Sequence, residues 1–172
     1  MLYYAGIGSR KAPKEALLLC RRLSNKLGKE GYTLRSGGAD GCDKAFQGSA
    51  ERFEIYYANG KYLTESRELL RIPKELWEEA QYIASCHHPA WNRLNEFVKS
   101  LHTRNVFQLK GLDNTPSSFV VCWTPDGAET SEQTSKATGG TGQSIRIAHT
   151  LNIPVYNLNN DKSRQRIRGW IG

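Results

Sequence analysis

No run of apolar residues in this chain approaches the ~18 that a membrane-spanning helix needs. Its first residues, MLYYAGIGSR, also lack the long apolar stretch of a secretory signal. A protein that works in solution, in the cytoplasm and away from membranes, is the expectation. Cysteine is sparse, and Cys20, Cys42, Cys86 and Cys122 stand far apart with no CxxC pair. Zinc sites draw their ligands from close pairs, so a metal centre is disfavoured, and free thiols fit a reducing compartment. His87 and His88 are adjacent and diverge, which argues against a two-ligand site. No internal repeat and no Pro- or Ser-rich linker divides the chain. A Walker A loop is missing, because Gln143 follows Gly142 where Lys-Ser/Thr would be required. A GxGxxG turn is missing too, since Lys11 takes the place of its last glycine. ATP hydrolysis on a P-loop and ordinary NAD binding are disfavoured, and no resident cofactor is expected.

What is present suits one globular domain: 172 residues, 38% of them hydrophobic, with 16 glycines. Lys and Arg number 24 against 17 Asp and Glu, a net charge of +7. A basic balance of this size points to an anionic partner, either a nucleic acid or a phosphorylated small molecule.

The apolar pattern alternates strands with helices. Leu2–Ile7, Tyr32–Ser36, Phe53–Ala58, Ser118–Trp123 and Ile153–Asn157 read as strands. Helices are expected over 13–29, from about Cys42 to Arg52, from Pro73 to about Cys86, over 89–101, and from about Gly142 to Leu151. This order implies an α/β fold, a single Rossmann-like domain with a mostly parallel central sheet flanked by helices on both faces. The polar stretch 124–141 reads as a long loop, and the basic tail has no clear structure.

Three turns share one design, in which an apolar strand meets small residues and then a helix. They are Gly6-Ile7-Gly8-Ser9-Arg10, Ser36-Gly37-Gly38-Ala39-Asp40-Gly41 and Gly139-Gly140-Thr141-Gly142-Gln143-Ser144. Glycine lets a ligand approach the backbone, and a helix N-terminus offers free N–H groups to a phosphate. Ser9, Ser36, Thr141 and Ser144 add hydroxyls, and Arg10 can pair bidentately with phosphate. In a parallel sheet all three turns lie at the carboxyl edge, where ligands bind. Glycine placed only for turn geometry is the competing explanation.

In their order, Gly8-Ser9-Arg10, then Ser36-Gly37-Gly38-Ala39-Asp40-Gly41-Cys42-Asp43-Lys44-Ala45, then His102-Thr103-Arg104-Asn105 resemble the DprA (Smf) family of DNA-processing proteins. That family lies within the SLOG superfamily of Rossmann-like domains, together with the LOG phosphoribohydrolases and several nucleotide sensors. The Phe119–Cys122 strand, the turn with Ser144 and Ile153-Pro154-Val155 extend the resemblance over 1–158, leaving 159–172 as a basic C-terminal tail. His88-Pro89-Ala90-Trp91 and Cys122-Trp123-Thr124-Pro125 look most like the short DprA-like proteins of phages and prophages.

The resemblance implies a pocket for single-stranded DNA or another nucleotide-derived ligand, in a protein that self-associates as a homo-oligomer. It carries a phosphate-contacting role to Arg10, Ser36, Gly37 and Gly38. The family's Arg-Asn-Arg element stands here as Arg104-Asn105-Val106, without its second arginine. The LOG glycine motif, PGGxGTxxE, aligns with Thr138–Arg146, so Arg146 replaces the glutamate of the hydrolytic site. Binding without catalysis is therefore the first reading. A LOG-like N-glycoside hydrolase, with Asp40, Asp43 or Asp126 as the carboxylate, is the alternative, and capture of a small signalling nucleotide by a phage protein is another.

The candidate ligand set is Gly8, Ser9, Arg10, Ser36, Gly37, Gly38, Asp40, Arg104, Asn105, Trp123, Gly139, Gly140, Thr141, Gly142 and Ser144. No catalytic residue and no metal ligand is assigned. Trp123 is read either as a base-stacking platform or as core. His102 either contacts ligand or packs. The tail, with Lys162, Arg164, Arg166, Arg168 and Trp170, either grips a nucleic acid backbone, forms an oligomer contact or is a solvated face.

Overall fold

Tyr4, Ala5 and Gly6 give the first strand no polar face, and it lies inside a sheet with neighbours on both sides. The computed structural model describes residues 1–172. The seven strands are β1 (Leu2–Gly6), β2 (Tyr32–Ser36), β3 (Phe53–Tyr56), β4 (Lys61–Thr64), β5 (Leu69–Arg71), β6 (Val120–Cys122) and β7 (Val155–Asn157). The six α-helices are α1 (Lys14–Lys29), α2 (Cys42–Gln47), α3 (Lys74–His87), α4 (Glu96–Lys110), α5 (Thr141–Thr150) and α6 (Asp161–Ile171).

The strand order is β5-β4-β3-β2-β1-β6-β7. Pairing is parallel from β3 through β7, and β3-β4-β5 run antiparallel at one edge. The chain builds outward from β1 through β2 and β3, then returns to the other side of β1 as β6. The β1–β6 junction is thus the point where strand order reverses, which in an open α/β sheet opens a crevice at the carboxyl edge.

The period of two along a strand sends alternate side chains to two cores. Ala5, Val120 and Cys122 pack with Val106, Phe107 and Ile145 of α4 and α5. Tyr4, Leu34 and Val121 pack with Leu19, Leu23, Phe46 and Ile167 of α1, α2 and α6 on the opposite face. No helix is long and apolar enough to cross a membrane.

Four local expectations change. The helix expected over 89–101 becomes a 3-10 turn at Trp91–Arg93 followed by α4, which runs on to Lys110. Asn95 sets the start, its side chain accepting from the Val98 amide at 2.9 Å. α2 stops at Gln47 instead of reaching Arg52. The stretch 61–71, to which the apolar pattern assigned no element, forms the β4–β5 hairpin. The basic tail is helix α6, which buries Ser163 and Ile167 and sets Trp170 edge-on against Phe119 and Tyr156 at 5.5 and 5.2 Å between ring centroids.

Candidate functional site

At the β1–β6 junction a cleft of about 1330 Å³ opens between the turn after β1, the Val98–Gln108 side of α4, the end of α3 and the 134–141 segment leading into α5. Gly8, Ser9, Arg10, Arg104, Asn105, Gly139, Gly140, Thr141 and Ser144 of the sequence-derived set all line it. Five cationic side chains border the cleft (Arg10, Lys11, Arg104, Lys136 and Arg146) against one carboxylate, Asp43.

The first turn is held in place by the sheet itself. The amides of Ile7 and Ser9 donate to the carbonyls of Val121 and Trp123 at 3.1 and 2.9 Å, extending the β1–β6 ladder beyond the strands. The second turn interlocks with it: Gly41 has φ +85°, and a Cβ there would stand 2.7 Å from the Ser9 carbonyl oxygen. Only glycine satisfies both the backbone angle and the approach. Arg10 and Lys11 emerge from this turn exposed, and their side chains have no partner within the chain.

Arg104 is bound inward. Its Nη1 donates to the carbonyls of Gly37 and Tyr56 at 2.7 and 2.9 Å, and its Nε donates to Asn105 Oδ1 at 2.9 Å. The guanidinium lies so close to Gly37 that a Cβ there would sit 2.5 Å from Nη1. Burial lowers the Arg104 pKa in spite of the opposing pull of Asp43. Arg146 is bound as well, donating to the His87 carbonyl at 2.8 Å, Gln143 Oε1 at 3.2 Å and Thr134 Oγ1 at 3.4 Å. It joins α5 to α3 and to the loop while its charge faces the cleft.

Two buried groups in the cleft have a polar atom without a partner. Asp43 is 3% exposed; its Oδ2 accepts from the amides of Gly37 and Ala39 at 3.2 and 3.4 Å, and its Oδ1 accepts nothing. Burial pushes its carboxyl up to about 6 against the opposing pull of Arg104 and those amides. His102 is 7% exposed with Nδ1 unpartnered, and its ring lies 4.6 Å from that of His88. Burial first, then the charges of His88, Arg146 and Arg104, push it down to about 4, so it is neutral at pH 7.

Within the 124–141 loop Asp126 gathers four hydrogen bonds, and Glu129 ties the loop to β7 by accepting from the Asn157 amide at 2.8 Å. Asp126 Oδ1 accepts from Thr124 Oγ1 at 2.8 Å and the Ala128 amide at 3.3 Å, while Oδ2 accepts from Ser135 Oγ at 2.8 Å and from Thr138 Oγ1. Burial raises this carboxyl, but the hydroxyls of Thr138, Thr124 and Ser135 outweigh it and hold it below the usual range. The loop therefore presents Lys136 and the glycines before α5 in one arrangement.

Six residues of the sequence-derived set do not line the cleft. Ser36 Oγ donates to the Gly6 carbonyl at 2.5 Å, tying β2 to β1. Gly37 gives its amide to Asp43 and its carbonyl to Arg104. Gly38 packs beside Tyr57, and Asp40 is exposed and pairs with Lys44 at 2.7 Å. Trp123 packs against the α1/α2/α6 core, and Gly142 lies under Arg146 and Thr138. The amides of the Ser36–Gly41 turn thus meet a carboxylate from the chain's own α2. Sequence reasoning left Lys11, Asp43, Gln108 and Lys136 outside the set. Asp43 entered the sequence reading only as a possible carboxylate of the hydrolase alternative; its place in the first turn of α2 also fits ordinary pairing with the helix dipole. No cluster of three or more His, Cys, Asp or Glu side chains is assembled to hold a metal ion.

No protein-family model matches the chain, and no curated protein sequence does. Among solved structures, DNA processing protein A from Helicobacter pylori, described for its unique single-stranded DNA binding mode, overlays with a TM-score of 0.41 at 12% identity. The overlay covers 98% of this chain and 79% of that one. A likeness at that level sets no residue correspondence between the two chains.

Proposed function

We propose that this protein binds single-stranded DNA without turning it over, seating a nucleotide unit in the cleft at the β1–β6 junction. The observation that carries the reading is the charge of the cleft: five cations against one carboxylate, with Arg10 and Lys11 unpaired and exposed. Phosphate fits between Arg10 and the N-terminus of α5, where Gly139 and Gly140 leave the backbone open and Thr141 and Ser144 supply hydroxyls.

Binding is favoured over glycoside hydrolysis because the one carboxylate of the cleft, Asp43, is 3% exposed, with one oxygen held by the Gly37 and Ala39 amides and the other buried. Arg146 stands on α5 where the LOG motif has its glutamate, with its donors engaged in holding the cleft wall.

The test is a fluorescence titration of wild type and Arg10→Ala with labelled oligo(dT), with mononucleotides as competitors. Loss of one charge-assisted hydrogen bond should weaken DNA binding by ~1.5–3 kcal/mol while leaving the melting temperature unchanged. Unchanged affinity in a folded variant removes the first turn from the site. Displacement by one mononucleotide at micromolar level makes the cleft a small-ligand pocket, and release of free base from a nucleoside monophosphate makes the protein a hydrolase.

A further inference from the structure

The excess charge of the chain sits on two helices. α1 and α6 together carry nine Lys and Arg against Glu15 and Asp161, a net of +7, equal to that of the whole chain. The other 145 residues hold fifteen basic and fifteen acidic side chains and are neutral as a group.

The two helices are neighbours on one face of the sheet, each burying one stripe in the same core through Leu19, Leu23 and Leu27 or Ile167. Their other sides meet water. Lys26 and Arg164 have acidic partners, Glu30 at 3.2 Å and Asp161 at 2.5 Å. Lys14, Arg21 and Arg22 on α1, and Lys162, Arg166 and Arg168 on α6, are exposed and form no ion pair. At 1.5 Å rise per residue, Lys14, the Arg21–Arg22 pair and Lys29 mark a stripe of ~22 Å with a positive charge about every 11 Å. Both helices begin at the carboxyl edge, α1 directly after Arg10 and Lys11, so this stripe starts at the rim of the cleft.

We propose that the α1–α6 face is a second binding surface, a track for the sugar–phosphate backbone of a single strand whose end occupies the cleft. The inference rests on the nucleic-acid reading of the cleft and extends it to a separate set of residues. A membrane surface is the poorer partner. Helices that lie on lipid insert an apolar face, whereas here the apolar faces are inside the core and Leu18 is the one large apolar side chain exposed on either helix.

The test compares wild type, Arg10→Ala and the fourfold variant Arg21→Gln/Arg22→Gln/Arg166→Gln/Arg168→Gln, each confirmed as folded by circular dichroism. A double variant, Arg166→Gln/Arg168→Gln, stands in if the fourfold one does not fold. Binding of oligo(dT) of about five and about thirty nucleotides is measured across a salt series. A single-strand contact contributes ~0.7 to the slope of log K against log salt. The fourfold variant should therefore flatten the slope for the long strand by ~2–3 and weaken it at least ~10-fold at low salt. Binding of the short strand should be unchanged by this variant and weakened by Arg10→Ala. Long-strand affinity and slope equal to wild type overturn the track and leave the cleft standing. Short-strand binding insensitive to Arg10→Ala overturns the cleft reading instead. Absence of any oligo(dT) binding, with capture by phosphatidylserine vesicles that the fourfold variant loses, gives the face to a membrane and overturns both.

Discussion

Asp43→Asn offers a direct test of the electrostatics beneath the cleft. In the wild type a 3%-exposed carboxylate with one unpartnered oxygen has its pKa pushed up to about 6, against ~3.9 in an unfolded chain. A raised carboxyl pKa means that the folded state takes up the proton first as pH falls, so this group stabilises the fold in acid and ceases to do so as pH rises through 6. With those two values the group contributes about 2 kcal/mol more stability at pH 4.5 than at pH 7. Asparagine places an oxygen toward the Gly37 and Ala39 amides and an amino group where Oδ1 has no partner, and it does not titrate. The difference in unfolding free energy between variant and wild type should therefore shift by about 2 kcal/mol in favour of the wild type between pH 7 and pH 4.5. Urea unfolding of both proteins at the two pH values measures it. Taking the difference at each pH cancels the other titrating groups, among them His102, which is held down to about 4 and works in the opposite direction. A difference that is constant with pH, or one that moves toward the variant in acid, refutes the account of Asp43 as a buried group under strain from its own charge.

Three other substitutions probe the supports of the site. Gly37→Ala puts a methyl group 2.5 Å from Arg104 Nη1, which two carbonyls hold in place, and should cost about 1–3 kcal/mol in urea unfolding. Asp126→Ala removes the acceptor of four hydrogen bonds in the 124–141 loop; it should destabilise by about 1–3 kcal/mol and make that loop the first site cut in limited proteolysis. Trp170→Ala strips the half-buried ring from Phe119 and Tyr156 and should cost about 2 kcal/mol, read as a fall in melting temperature.

Much of the fold could be read from local pattern. α1 follows from Ala16, Leu19, Cys20, Leu23 and Leu27 recurring at helical spacing, and the structure ends it at Lys29, before Gly31 at φ +93°. The strand at Val120–Cys122 is apolar enough to be buried on both faces, and glycine-rich turns follow it and Tyr32–Ser36, directly after β2 and before α5 after β6. Those signals hold because the preference of a short segment for helix or strand, and the need to bury one stripe, are properties of neighbours in sequence. The β4–β5 hairpin escaped because its strands have little apolar alternation and are held by pairing with the edge of the sheet, not by burial of their own side chains. α6 escaped because its basic residues hide a short apolar stripe, Ile167, Trp170 and Ile171, that acquires meaning only against Tyr156 and Phe119.

By itself the sequence determined the α/β class, the parallel core, the three glycine turns at one edge and the net charge of +7. Tertiary structure alone decided what each of those groups faces. It turned the Ser36–Gly41 turn inward onto Asp43 and Arg104, packed half-buried Trp123 against the core, and left Arg10 and Lys11 free at the cleft. It also set the two charged helices side by side. The physical reason is that hydrogen-bond partnership and burial depend on residues 20 to 100 positions away in the chain, as when the Gly37 carbonyl meets a guanidinium 67 residues on, and no local pattern encodes that meeting.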